Sequence, residues 1–270
     1  MEYVTAGSAR IPAIGLGTYP LTGEQCRNAV GSALRAGYRH VDTAQLYDNE
    51  EAVGAAIRDA AVPRSDVFLT TKIHESNVAY DDAVASVRGS LDRLGTGIDL
   101  LLVHRHDESV PIAETISAMN ECQRRFDVEH VGVSNFDVDQ LDAAVTASEA
   151  PIVTNQVAYN AYSDLGDLLA TCRAHDVALT AFSPLAKGRL LDDETLATIG
   201  AAYGKTPAQV GLRWLVQQDG VVAIPKAADP AHQAENLAVF DFELTDAEMR
   251  EIDGLYGGLT DRVLAALGLT

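Results

Sequence analysis

Three cysteines, one tryptophan and four lysines in 270 residues set the first limits on this chain. Cys26, Cys122 and Cys172 are odd in number, scattered, and show no CxxC spacing. That excludes a disulfide framework and predicts structural thiols in a reducing compartment. No apolar run approaches the roughly 20 residues of a membrane span. The first residues show no basic-then-apolar signal pattern, so the sequence predicts a soluble, cytoplasmic protein without a membrane partner. Basic residues are scarce as well: 39 acidic side chains face 20 basic ones, for a formal net charge of −19. A field of that sign repels nucleic acid and anionic membranes. Such a charge serves either simple solubility or a salt-rich cytoplasm, where a Debye length of about 3 Å at 1 M removes the self-repulsion, and the second reading predicts a halophilic protein.

What the chain does have is a large apolar fraction, 47%, arranged with one rhythm. Tyr3-Val4-Thr5-Ala6 and Ala9-Arg10-Ile11-Pro12 flank Gly7-Ser8, a two-residue hairpin signal placed to cap a barrel bottom. Ile14 to Gly17 reads as a first strand. Glu24 to Ala36 reads as a helix with apolar positions 29, 30, 33 and 34, closed by Gly37. Strand and helix then alternate: strand to Asp42, helix 50–60, strand 67–72, helix 81–94, strand 98–103, helix 111–125, strand 129–133 and helix 138–148. The later half continues with strand 152–157, helix 164–175, strand 177–182, helices near 193–203 and 207–218, strand 221–225 and helix 230–238. Thr245-Asp246-Ala247-Glu248 opens an added helix as a capping box, and 260–267 is a candidate for another. Eight such units with no room for a linker predict an α/β fold, a (β/α)8 TIM barrel with an N-terminal β-hairpin cap and extra C-terminal helices, as a single domain over 1–270.

Three strand ends carry chemistry. His40-Val41-Asp42 leads to a loop ending at Tyr47, Val67 to Thr71 ends at Lys72, and Ile98 to Val103 ends at His104. In a parallel barrel such ends share the face where that architecture performs its reactions. A tyrosine phenol, with a reference pKa near 10, is a poor acid at neutral pH. A lysine ammonium about 4 Å away favours the phenolate by up to ~4 kcal/mol, roughly three pKa units, before any offset. Asp42 would hold Lys72 charged and oriented, and His104 would address the same substrate oxygen. This set suits protonation of a carbonyl oxygen as it becomes an alkoxide. None of these groups donates hydride, so the electron pair must come from a cofactor.

Gly15-Leu16-Gly17-Thr18, Asp42-Thr43-Ala44-Gln45-Leu46-Tyr47, Thr71-Lys72, Leu102-Val103-His104, Gly132-Val133-Ser134-Asn135-Phe136, Asn155-Gln156, Ser183-Pro184-Leu185 and Ile224-Pro225-Lys226 occur in order along nearly the whole chain. In that set the sequence resembles the aldo-keto reductases, and its short C-terminal tail looks most like the prokaryotic 2,5-diketo-gluconate reductase-like branch. The resemblance implies NAD(P)H, with NADPH first and NADH plausible, and a small-molecule carbonyl substrate. It implies Tyr47 as general acid, Asp42 and Lys72 as its modulators, and His104 aligning the carbonyl. On the cofactor side it implies Gly17 and Thr18 at the first strand end, and Ser134, Asn135 and Gln156 at the nicotinamide carboxamide. Phe182 takes the place of a stacking tyrosine. Ser183, Leu185, Lys187 and Lys226 lie toward the phosphates, where barrels commonly bind them. Glu235 and Asn236 match an adenine-contacting pair.

One departure concerns discrimination between cofactors. NADPH-preferring relatives have a serine where Ala227 is and an arginine where His232 is. A mostly uncharged histidine and a lone Lys226 lack the planar fork that grips a phosphate, which predicts weakened preference for NADPH and use of NADH as well. Tyr19, His74 and Arg105 replace frequent tryptophans at the mouth and predict a polar pocket. There Arg105 either pairs with a carboxylate substrate or turns outward to acidic neighbours such as Asp107 and Glu108. Gly15 and Gly17 lack the third glycine and following helix of a Rossmann loop, and read as sites of close backbone packing. Two other readings compete. A metal-dependent barrel hydrolase draws on His104-Arg105-His106, and a cofactor-binding regulatory subunit of the same fold would keep the four residues without turnover. The oligomeric expectation is a monomer or a weak homo-oligomer.

Overall fold

The first and last strands of the main sheet meet at Ile14 and Ala223. In the computed structural model, which describes residues 1–266 with side chains to Tyr256, these residues form a parallel bridge. Around it Gly15 N–H donates to the Ala223 carbonyl at 2.9 Å, Ala223 N–H to Ala13 at 2.9 Å and Gly17 N–H to Pro225 at 3.2 Å. The sheet therefore curls round until its two edges join. Its strands run in chain order: β3 (Leu16–Gly17), β4 (His40–Asp42), β5 (Phe68–Ile73), β6 (Ile98–Val103), β7 (Val128–Ser134), β8 (Ile152–Ala158), β9 (Ala178–Phe182) and β10 (Val221–Ala223). Every pairing within it is parallel.

The seam explains the paired glycines. A Cβ on Gly17 would lie 2.8 Å from the Ile224 carbonyl oxygen, and one on Gly15 would lie 2.7 Å from the His40 ring. Only a residue without a side chain lets these strands approach so closely.

The predicted hairpin forms from β1 (Tyr3–Ala6) and β2 (Ala9–Pro12), paired Tyr3 to Pro12 and Ala6 to Ala9. Its Ala6, Ala9 and Ile11 pack with Leu100, Leu102, Val153, Ala178 and Val222 in a cluster of their own, the inside of the barrel. The larger core lies between strands and outer helices. Helix α1 (Gly23–Ala36) buries Cys26, Ala29, Val30, Ala33 and Leu34, which includes the four positions picked out by its period, and Gly37 closes it at φ 113°. The other outer helices are α2 (Glu50–Asp59), α3 (Tyr80–Leu94), α4 (Ile112–Arg125), α5 (Val138–Ala147), α6 (Gly166–Ala174), α7 (Glu194–Tyr203), α8 (Pro207–Val216) and α9 (Pro230–Leu237). The (β/α)8 barrel with its hairpin cap is thus the fold.

Two local expectations change. Strand β10 stops at Ala223, because Pro225 has no N–H for the ladder and gives its carbonyl to Gly17 across the seam instead. The two helices expected after Thr245 are one, α10 (Asp246–Ala266), and Leu267 lies outside the described residues. All three cysteines are free and buried. Burial pushes the Cys26 thiol up to about 11 and the Cys122 and Cys172 thiols up to about 12, so they remain protonated packing groups. Among the described residues no helix is long and apolar enough to cross a membrane.

Candidate active site

Strands β4, β5 and β6 are adjacent, with Asp42 level with Thr70 and Lys72 level with Leu102. The polar residues that close their apolar runs therefore converge. Lys72 Nζ donates to Asp42 Oδ1 at 2.6 Å, to the Thr43 carbonyl at 2.8 Å and to the Tyr47 hydroxyl at 3.4 Å. Both ion-pair partners are buried. Such a pair survives in the interior only because its remaining lone pairs and protons are also satisfied. The second Asp42 oxygen, Oδ2, accepts from Gln156 Nε2 at 2.7 Å. The Tyr47 ring meets His104 edge-on at a centroid distance of 5.8 Å and Tyr19 at 5.1 Å.

The electrostatics differ from the expectation in one respect. Burial pushes the Tyr47 phenol up, Lys72 pulls it down and Asp42 pushes it up again, and the net direction is up. The lysine's pull is real but smaller than the desolvation cost of a buried phenolate. For Lys72 burial acts downward, while the charges and hydrogen bonds of Asp42 and Tyr47 more than reverse it, so the ammonium stays charged. Burial, then the nearby Lys72 charge, depress His104 to about 4. His104 is therefore neutral at physiological pH, and its Nδ1 has no partner among the described residues.

The residues expected on the cofactor side gather at the ends of β7, β8, β9 and β10. Ser134 Oγ donates to the Gln156 carbonyl at 2.8 Å. Asn135, at φ 60°, donates from Nδ2 to the His104 carbonyl at 2.9 Å and to Ser134 Oγ at 3.1 Å. Phe182 ends β9, half-buried, and Ser183 follows at φ 50° with its carbonyl capping the Ala186 N–H. Leu185 packs on the core, and its carbonyl accepts from Gly188 N–H at 2.9 Å. Lys187, at φ 56°, and Lys226 are exposed, and neither is in an ion pair among the described residues. The other two lysines are paired, Lys72 with Asp42 and Lys205 with Asp241. Ala227 is buried and its carbonyl accepts from Gln233 at 2.9 Å. On α9, His232 and Glu235 face out. Asn236 turns inward to the Tyr38 hydroxyl, so 235 and 236 do not form one exposed pair. Gly17 and Thr18 serve the scaffold: Thr18 donates through both its amide and its hydroxyl to the Asp42 carbonyl, at 3.1 and 2.9 Å.

At the mouth, Tyr19 is exposed over Tyr47. His74 is occupied locally, since its Nδ1 caps the Ser76 amide at 3.1 Å. Arg105 is exposed and meets Glu75 at 3.7 Å rather than Asp107 or Glu108. It also lines a cleft of about 550 Å³ with Asn135, Phe136 and Val157. His106 packs against Phe136 at 6.0 Å while His104 faces Tyr47, so the two histidines of the HxH stretch have different neighbours. Among the described residues no group of three His, Cys, Asp or Glu is placed to share a metal.

Sequence reading missed the supports beneath the site. Gln45 spends its whole amide fixing the Tyr47 loop: Nε2 donates to Ser86 and Ser90, and Oε1 accepts from His74 N–H and Asn77. Glu50, buried, accepts from Thr71 at 2.6 Å and pairs with Arg93 at 2.6 Å, bracing the strand next to Lys72. Gln45 lies two residues before Tyr47 and Glu50 opens α2, and that proximity was the one available signal.

The chain matches the family model described as the aldo/keto reductase family over residues 13–257. It is 40% identical over 252 residues to an aldo-keto reductase of Mycobacterium avium (strain 104), spanning 93% of this chain and 88% of the relative. It is 35% identical over 263 residues to methylglyoxal reductase DkgB of Escherichia coli O157:H7, spanning 96% and 97%. A crystal structure of a putative 2,5-diketo-D-gluconic acid reductase B superposes with a TM-score of 0.93 at 45% identity, covering 94% of this chain and 91% of that one. The chain belongs to the aldo/keto reductase family of oxidoreductases, and these neighbours support carbonyl reduction as its chemistry.

Proposed function

We propose that this protein is an NAD(P)H-dependent carbonyl reductase in which Tyr47 delivers the proton. The observation that carries the reading is the buried chain from Asp42 through Lys72 Nζ to the Tyr47 hydroxyl, with the neutral His104 ring against the same phenol. A phenol whose pKa is raised holds its proton throughout the working range. It needs help only as the proton leaves, and the fixed Lys72 ammonium supplies it by stabilising the phenolate then formed. A neutral His104 has one N–H to offer the carbonyl oxygen. Asp42 keeps the ammonium charged and aimed.

The donor set fits a dihydronicotinamide dinucleotide. Two lysines without an ion pair among the described residues follow β9 and β10 in a chain of net charge −19, and a cluster of amide side chains lies beside His104. When bound, that cofactor supplies the hydride that no side chain here can. Ser134, Asn135 and Gln156 would hold its carboxamide end, with Phe182 against the ring. Lys226 and the loop of Ser183, Leu185 and Lys187 would hold the phosphates, and Glu235 would face the adenine. Buried Ala227 has no hydroxyl and exposed His232 no permanent charge, so NADPH is used with weak discrimination and NADH as well. The substrate is a small polar carbonyl compound, in keeping with the names of the relatives and with the polar rim of Tyr19, His74 and Arg105.

The test is oxidation of NADPH and NADH by methylglyoxal, a diketo-gluconate and neutral aldehydes, with the parent and Tyr47→Phe. Comparable kcat/KM for the two cofactors is expected. Tyr47→Phe should cost about 10²–10⁴-fold in kcat with NADPH affinity unchanged. Parental turnover by that variant would end the assignment of Tyr47.

A further inference from the structure

Ile73 and Val103 are level at the ends of β5 and β6, and two positions beyond each stands a charge, Glu75 after β5 and Arg105 after β6. Glu75 opens the short turn Glu75–Asn77, which the Tyr47 loop holds in place: Gln45 Oε1 accepts from the His74 amide at 2.9 Å and from Asn77 Nδ2 at 3.3 Å. Arg105 Nε meets Glu75 Oε2 at 3.7 Å, and both side chains are exposed. Asp107, nearer to Arg105 in sequence, is engaged elsewhere and accepts from the Ser109 amide at 2.9 Å and hydroxyl at 2.7 Å. In the cleft that Arg105 shares with Asn135, the other charged lining residues described are Asp137, Asp164 and Asp167. Arg105 is close enough to the catalytic end for its charge to add to burial and Lys72 in lowering His104.

The guanidinium at the mouth therefore has a partner already. Glu75 is tethered beside it, and a tethered partner acts at an effective concentration in the millimolar range or above. A substrate carboxylate has to displace that partner, and it then leaves Glu75 uncompensated next to a second anion. An uncharged carbonyl compound meets neither cost.

We propose that Glu75 is a specificity-determining residue: by masking Arg105 it makes the mouth select uncharged carbonyl compounds over those that carry a carboxylate. This selection rests on the carbonyl-reductase reading above and narrows its substrate class. Arg105 is then a latent carboxylate site, opened by the loss of one neighbouring charge.

The experiment compares kcat/KM at saturating NADPH for succinic semialdehyde and for its methyl ester, which share the aldehyde and differ in charge at the other end. The ester value of each variant is the reference for folded, active enzyme, so the quantity read is the ester-to-acid ratio. The parent should favour the ester by at least about fivefold. Glu75→Gln should cut that ratio by about three- to fivefold, the scale of one exposed ion pair, through the KM of the acid rather than its kcat. Arg105→Gln should raise the ratio or leave it unchanged, and a lower ratio would overturn the masking. In the Arg105→Gln background, Glu75→Gln should have less than half of its effect in the parent, because nothing is left to unmask. Equal effects in the two backgrounds would show plain charge repulsion without masking and overturn the inference. So would an equal gain from Glu129→Gln, which removes the same charge near the start of β7, at the opposite end of the barrel. If the parent reduces ester and acid equally well, only the selectivity falls. If NADPH is oxidised with neither of them nor with methylglyoxal, the carbonyl-reductase reading falls as well.

Discussion

At Tyr47 the ammonium of Lys72 and the burial of the ring pull in opposite directions, and burial is the stronger. In the proposed mechanism the lysine would therefore act on the product of proton transfer more than on the resting acid. A second buried titratable group lies deeper. His40, inside the barrel, meets Thr70 Oγ1 at 3.1 Å, and burial lowers its pKa from 6.5 to about 4. Because the folded value is depressed, the unfolded chain binds this proton first as pH falls. The stability that neutral His40 contributes is present above pH 6.5 and is lost progressively down to about pH 4, to a total of about 3 kcal/mol. His40→Gln, which can still reach Thr70, should make the urea midpoint less pH-dependent across that window. An unchanged acid limb would show that His40 is not responsible. Single residues were legible in the sequence where an ionisable side chain closes an apolar strand, as at Asp42, Lys72 and His104. Gln45, Glu50 and the Asp42–Gln156 bond were not legible. Their partners lie from 21 to 114 positions away, and only the closed barrel brings them together.

Among the elements, the strands and helices showed clearly in the sequence because period and turn chemistry agree, as in α1 with its stripe at 29, 30, 33 and 34 and its glycine stop. The seam between β3 and β10 was the weakest part of the pattern. Its strands are two and three residues long and depend on glycines that sequence alone shows only as sites of close approach. Gly17→Ala tests that seam. Its Cβ would meet a backbone carbonyl at 2.8 Å, where neither side can rotate away. The expected cost is about 1–3 kcal/mol, seen as a fall of several degrees in Tm. Gly254→Ala is the contrast, because among the described residues nothing lies within 4 Å of its added methyl on α10. Helix propensity there should raise stability by up to about 1 kcal/mol. Equal effects at the two positions would show that the seam tolerates a side chain.

For the molecule as a whole, charge is the property that fold does not explain. A net charge of −19 on 270 residues exceeds what solubility needs. Exposed ion pairs such as Arg27–Asp59 and Arg124–Glu149 offset little of it, since water and salt screen pairs at the surface. The remaining repulsion is long-ranged, and added salt screens it. The urea midpoint should therefore rise with KCl from 0.1 M and level off near 1 M, where the Debye length is about 3 Å. NaCl should act equally, because the effect depends on ionic strength. The same field opposes an anionic dinucleotide approaching Lys187 and Lys226, so NADPH association should quicken between about 0.01 and 0.15 M salt as the Debye length falls from ~30 to ~8 Å. At higher salt the local lysine contacts are themselves screened, and affinity should decline. A midpoint indifferent to KCl, together with association that only slows as salt is added, would show that the acidic surface exerts no net force on either folding or cofactor capture.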